Sequence, residues 1–192
     1  MKLLQRSRRS PIASPEEFRA LYEHNRTSVF RYIFSLTGGP QEEVEDLTAD
    51  TFLRAWKARH TFDGANGAAT GWLIQIAKRL VIDQYRRDTV QNKQLDAHFQ
   101  EMDPSPEQAA IAGEEGRLLL SLLAELPDEA REIIVLRYIL GWRVADIAVH
   151  LGATDNSVSV SIHRTLTRLQ DKWQAAENAG IRAAFVQEEK FS

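Results

Sequence analysis

No cysteine occurs in this chain of 192 residues. That excludes disulfides, thiolate metal sites and cysteine nucleophiles, and leaves nothing that points to an extracellular life. No stretch approaches the roughly 20 apolar residues that a membrane span needs. The N-terminus, Met1 to Pro11, is basic but has no long apolar run. No signal peptide is therefore expected, and the expected location is cytoplasmic. An excess of positive charge is missing too: 24 Lys and Arg stand against 27 Asp and Glu, for a formal net charge of −3. A protein that grips duplex DNA alone carries a basic footprint. Any DNA contact here must use local patches or borrow affinity from a partner. His24, His60, His98, His150 and His163 are scattered, with no metal-ligand spacing such as HExxH. No strand pattern is present, so no Gly-rich phosphate loop follows one. Neither an enzyme nor a metal or cofactor is expected.

What is present is helical periodicity. Hydrophobic residues make up 43% and charged residues 27%, a balance ordinary for globular domains, and the length suits one or two of them. The chain is organised around Gly71 to Arg87. Read at the helical period, Leu73, Ile76, Ala77, Leu80 and Val81 form a core face. Gln75, Arg79 and Arg86 fall on the opposite arc with Trp72 at its edge, flanked by Lys78, Tyr85 and Arg87. Cations meet phosphates and aromatic faces stack on unpaired bases. On this stretch alone, an ordinary solvated helix face explains the same residues.

In chain order, residues 1–13 read as a flexible basic tail. Ser14 can cap a first helix, with Pro15 at its first position and Gly38-Gly39-Pro40 at its stop. A second helix spans about 41–59. Val44, Leu47, Thr51, Phe52, Ala55 and Trp56 make its apolar stripe, and its first half is strongly acidic. Residues 60–70 read as a Gly-rich loop, with Thr70 as a cap for the central helix. These helices make one domain over 14–88. Residues 89–106 lack a period and end in Asp103-Pro104-Ser105-Pro106, which reads as a flexible acidic linker.

A second domain covers 107–174. Its first helix, 107–125, has Leu118, Leu119, Leu122 and Leu123 as its apolar side, and a helix over 128–140 is closed by Gly141. Val144 to Leu151, the turn Gly152-Ala153-Thr154 and a last helix over 155–173 form a helix–turn–helix pattern. Val158, Ile162, Leu166, Leu169 and Trp173 are its buried stripe, while Ser157, Ser159, Ser161 and Arg164 lie off it. Residues 175–192 form a C-terminal tail with a break at Gly180. The expected fold is all-α: two small helical domains joined by a flexible linker, the second carrying the helix–turn–helix.

Asp46 to Trp56, Trp72-Leu73 to Asp83 and Arg86-Arg87 form one group of motifs. Leu126-Pro127, Leu136-Arg137-Tyr138, Ile147-Ala148 with Leu151-Gly152, and Ile162-His163-Arg164 form the other. Their order and spacing resemble those of the extracytoplasmic-function type of bacterial RNA polymerase sigma factor, over about residues 15–173. The resemblance implies that the acidic helix, around Asp46, Leu47, Asp50 and Phe52, docks on the clamp helices of core RNA polymerase. It implies that Trp72, Gln75, Lys78, Arg79 and Arg86 meet the −10 promoter element, and that the loop with Phe62 and Asn66 cradles an extruded base. The linker would enter the polymerase cleft. The second domain would bind the polymerase flap and set Asn156, Ser157, Ser159, Val160, His163 and Arg164 in the major groove at the −35 element. An anti-sigma factor is a further implied partner.

The chain departs from the family pattern at Ser159, Val160 and Ser161, where similar proteins often carry Lys and Arg. It also has Arg79 where Asn is common, and Ala49-Asp50 in place of Gln-Glu. A free-standing helix–turn–helix regulator is the alternative. It accounts for residues 126–173 and leaves the acidic helix and the central stripe without a role.

Overall fold

Ser14 opens the first helix, α1 (Pro15–Thr37), with a reciprocal capping box. Its hydroxyl accepts from the backbone N–H of Glu17, and the Glu17 carboxylate accepts from the N–H of Ser14, both at 3.1 Å. Gly38 ends α1 in the left-handed conformation, φ 55°, with its N–H donated to the carbonyl of Phe34. The structure, a computed structural model, describes residues 12, 14–62, 69–91, 116 and 118–189, with side chains up to residue 87 in the third helix and 178 in the last. The expected basic tail, residues 63–68 with Asn66, and the linker from 92 onward lie outside the described residues.

Helix α2 (Gln41–Ala58) follows and tightens into a 3-10 turn (Arg59–Thr61); α3 (Ala69–Gln91) is the central helix. These helices pack on one another through fully buried Val29, Tyr32, Ile33, Val44, Ala55, Leu73, Ile74 and Ala77. Two readings of α3 change here. Ile74, left out of the predicted core face, is fully buried, whereas Ile76 and Val81 are only half-buried. Thr70 does not cap α3: it lies inside the helix, and its hydroxyl donates to Oδ1 of Asn25 on α1 at 2.5 Å. That bond satisfies a buried amide and ties the start of α3 to α1.

The second group begins with α4 (118–124) and continues with α5 (Asp128–Ile134), which widens into a π turn (Val135–Ile139). The extra residue of a π turn shifts side-chain register. Val135 and Leu136 both face the core, while Tyr138 and Ile139 emerge at the surface. Gly141, φ 70°, closes the turn. Helix α6 (Val144–Leu151) ends at Gly152, φ 66°, and α7 (Asp155–Glu189) follows. Ile147 and Ala148 of α6 join Val158 and Ile162 of α7 in the core, which is the expected helix–turn–helix.

Three expectations about this half are corrected. The last helix continues through Gly180 to Glu189, so the tail 175–189 is helical. Leu166 is 39% exposed and Thr165 takes the buried place, because the stripe steps by three after Ile162. Leu119 is likewise exposed, leaving Leu122 and Leu123 as the buried side of α4.

The two groups share one core: Leu73 and Ile74 belong to the same apolar cluster as Ile133, Leu136, Ile147 and Val158. Among the described residues there is no strand, and no helix is long and apolar enough to cross a membrane.

Candidate nucleic-acid and polymerase interfaces

On α3, burial of Leu73, Ile74, Ala77 and Leu80 fixes the rotation of the helix. The same rotation leaves Gln75, Arg79 and Arg86 exposed, on one stripe with spacings of four and seven. Trp72 heads this stripe, half-buried, with its ring 5.1 Å from that of Phe62. The pair forms an aromatic shelf near the start of α3. Just before it, the Arg59 guanidinium lies 3.9 Å from the Trp56 ring centroid. This surface offers guanidinium groups for phosphates, an amide for base edges and ring faces for stacking.

Lys78 departs from that stripe. Its ammonium reaches into the second group and meets Oε2 of Glu132 at 2.5 Å. Glu132 is 3% exposed, and its Oε1 accepts from the hydroxyl of Tyr32 at 2.9 Å. Nε2 of His150 lies 3.9 Å from the same oxygen, with its ring edge-on to Trp142. Burial pushes the His150 pKa down, Glu132 pulls it back up, and Lys78 adds to the lowering. Burial, reinforced by Glu132, pushes the Tyr32 phenol well above its ordinary range. Next to Glu132, the Arg131 guanidinium donates to the carbonyls of Leu123, Ala124 and Leu126 at and just beyond the end of α4, and reaches Leu36 of α1 at 3.4 Å. Burial lowers its pKa, and the carboxylate of Asp128 opposes the shift.

Helix α7 presents Asn156, Ser157, Ser159, Val160, His163 and Arg164 to solvent, all on its first three turns. Ser157 has a local duty as well. Its hydroxyl and that of Thr154 accept each other's backbone N–H at 3.2 Å, capping α7. Ser159, His163 and Arg164 are unencumbered by any such cap, and Arg164 is the first cation of the helix.

The acidic helix is built differently from the expectation. Asp46 and Asp50 are exposed, but Leu47 and Phe52 are 7% and 4% exposed and belong to the core. The Phe52 ring packs edge-on against Tyr22 at 4.7 Å. Leu53, which is 50% exposed, continues the Asp46–Asp50 stripe at helical spacing. The helical period carried this signal, since 46, 50 and 53 share a face while 47 and 52 turn inward. Glu132, Tyr32, Arg131 and His150 were not singled out from sequence. Their signal was weak: a charged Arg-Glu pair running directly into Ile133-Ile134-Val135-Leu136. Among the described residues no group of His, Asp or Glu is placed to hold a metal ion.

Residues 21–90 match Sigma-70 region 2, and residues 116–169 match Sigma-70, region 4. The chain is 31% identical over 157 residues to the ECF RNA polymerase sigma factor SigL of Mycobacterium tuberculosis, covering 79% of this chain and 86% of SigL. It belongs to the ECF sigma factors of the sigma-70 family. It is also 30% identical over 176 residues to the ECF RNA polymerase sigma factor BldN of Streptomyces coelicolor, spanning 88% of this sigma factor and 66% of BldN's length. The fold matches the sigma factor RpoE of Bartonella quintana, solved in complex with the anti-sigma factor NepR, with a TM-score of 0.66 and 21% identity over 83% of this chain and 98% of that one. The two matched regions of this sigma factor coincide with the two helical groups. Region 2 carries the α2 and α3 surfaces, and region 4 carries the helix–turn–helix.

Proposed function

We propose that this sigma factor binds core RNA polymerase and directs it to promoters, with each surface assigned a task. Asp46, Asp50 and Leu53 of α2 dock on a basic, partly apolar surface of the polymerase. Charge complementarity speeds encounter and fixes register, while the leucine supplies desolvated contact. The α3 stripe of Gln75, Arg79 and Arg86 lies against the −10 element, with Trp72 and Phe62 beside the base that leaves the stack. Extruding a base costs a few kcal/mol in unstacking, which ring contacts and phosphate contacts must offset. Asn156, Ser159, Val160, His163 and Arg164 of α7 enter the major groove at the −35 element. With one arginine among them, this helix discriminates more through hydroxyl and apolar contacts than through bidentate guanine contacts.

One observation carries the reading: a cation, amide and aromatic stripe on α3 and a capped, exposed recognition helix on α7 occur in one chain of net charge −3. Such a chain has the readers without the electrostatic grip, and a polymerase supplies the grip. An anti-sigma factor that covers the docking faces is the proposed regulator, by similarity to the partner in the RpoE structure, and the cytoplasm is the proposed location. Binding of the purified chain to core polymerase, followed by fluorescence anisotropy, tests the reading. Saturable binding is expected, and tight salt-dependent binding to bare duplex DNA without binding to core would replace it with a free-standing regulator.

A further inference from the structure

We propose that Asn25 of α1 is a positioning residue for promoter opening. Through its bond to Thr70 it fixes the first turn of α3, and with it the ring of Trp72 against that of Phe62. Asn25 is 4% exposed, so it acts through Thr70 and not by touching DNA. Its effect on opening rests on the function proposed above for the Phe62–Trp72 shelf; the bond and its hold on the shelf stand on the geometry.

Asn is a poor residue for a helix interior, and a buried amide requires partners. Both ends of this amide have one. Nδ2 donates to the carbonyl of Leu21, one turn back on α1, at 2.8 Å. A carbonyl only accepts, so the nitrogen must face Leu21 and Oδ1 must face Thr70. The Thr70 hydroxyl is then the donor, at 2.5 Å. The bond thus has one polarity and one geometry, which an apolar contact at the same place would not impose. The start of α3 needs such a constraint. Thr70 and Gly71 are weak helix formers, and the N–H groups of a first turn have no carbonyl partner within the helix.

Trp72 follows two residues after Thr70, and its ring lies 5.1 Å from that of Phe62 with the planes tilted by 40°. The two rings stand on different mounts. Phe62 ends the 3-10 turn after α2, with its N–H donated to the carbonyl of Arg59 at 3.3 Å. Trp72 moves with α3. Their relation is therefore set by where α3 begins, and the Thr70–Asn25 bond ties that beginning to α1. A gap of about 0.5–1 Å already forfeits about a quarter to a half of a van der Waals contact. A small shift of this turn would thus weaken the stacking that must offset base extrusion.

The test uses the full chain labelled with 5-fluorotryptophan, with the Trp72 fluorine line assigned through Trp72→Phe. Thr70→Val removes the hydroxyl at nearly constant shape, and Thr70→Ser keeps it. The Trp72 line should shift or broaden in Thr70→Val and stay in place in Thr70→Ser. With core polymerase, on the template upstream of its own gene, the rate of open-complex formation is measured against polymerase concentration. Thr70→Val should slow the opening step roughly tenfold and leave the affinity of the preceding closed complex unchanged. Asn25→Leu combined with Thr70→Val removes both polar partners, so no buried group is left unsatisfied. This pair should regain thermal stability while opening stays slow, and it serves if Thr70→Val alone fails to fold. Opening that recovers together with stability would reduce the bond to a structural role and overturn the proposal. An unchanged Trp72 line in the folded variants, or a changed line with unimpaired opening, would overturn it as well. A line that responds to Thr70→Val in a chain that never binds core would keep the hold on the shelf and remove the sigma reading instead.

Discussion

Leu47 and Leu53 lie on one helix and have opposite fates. Leu47 is 7% exposed and Leu53 is 50% exposed. Leu47→Ala should leave a cavity and cost about 2–5 kcal/mol in thermal or urea unfolding. Leu53→Glu should leave the melting temperature almost unchanged and weaken core polymerase binding tenfold or more in an anisotropy titration. Equal losses of stability for both would show that the exposed stripe is misassigned. His150 gives a second prediction at this scale. Its side chain faces Glu132, Lys78 and Trp142, and burial depresses its pKa below the ordinary 6.5. A depressed histidine contributes stability that is present above the unfolded value and lost as pH falls through the folded one. Melting curves should therefore show wild type losing more stability than His150→Gln between about pH 6.5 and pH 5. A parallel loss in both proteins would place the acid sensitivity in the carboxylates instead.

At the scale of the element, local rules carried far. Ser14 as cap with Pro15 at the first position specifies the start of α1 before any tertiary contact is considered, and in the structure Glu17 completes a capping box there. Ser14→Ala should cost about 1 kcal/mol, read as a lowered unfolding midpoint with an unchanged slope. The stripe of Gln75, Arg79 and Arg86 was legible because a 3.6-residue period separates it from Leu73 and Leu80 without reference to neighbours. Arg79→Ala with Arg86→Ala should reduce open-complex formation, followed by permanganate reactivity of the unpaired bases, and leave core affinity intact. An equal fall in core affinity would assign that face to the polymerase. The failures share one cause: they depend on what packs across from the helix. Thr70 serves Asn25 on another helix, Ile74 joins a cluster that also holds Ile133 and Ile147, and Thr165 is buried where Leu166 is exposed. A period describes one helix, whereas these side chains answer to two.

At the scale of the molecule, the sequence suggested separate domains on a linker, and the described residues show the two sharing a core across the Glu132 contact. The polar members of that contact were illegible because each is an ordinary residue in its own helix. Tyr32 reads as one more apolar position of α1, and Lys78 as one more cation of α3. Only the fold brings them to one carboxylate. The cleft beside them, about 570 Å³, is lined by Tyr85, Arg86 and Asp128 as well as by Lys78 and Glu132, so both halves contribute charge to the seam. On the function proposed above, this chain confers promoter recognition on a polymerase that lacks it. The most direct measurement is transcription in vitro with purified core polymerase and this chain, on templates that include the region upstream of its own gene. A discrete start site that appears only when the protein is added, and weakens with Arg79→Ala and Arg86→Ala, is the expected result. A transcript pattern identical with and without the protein, despite demonstrated core binding and across a set of genomic templates, would contradict the account.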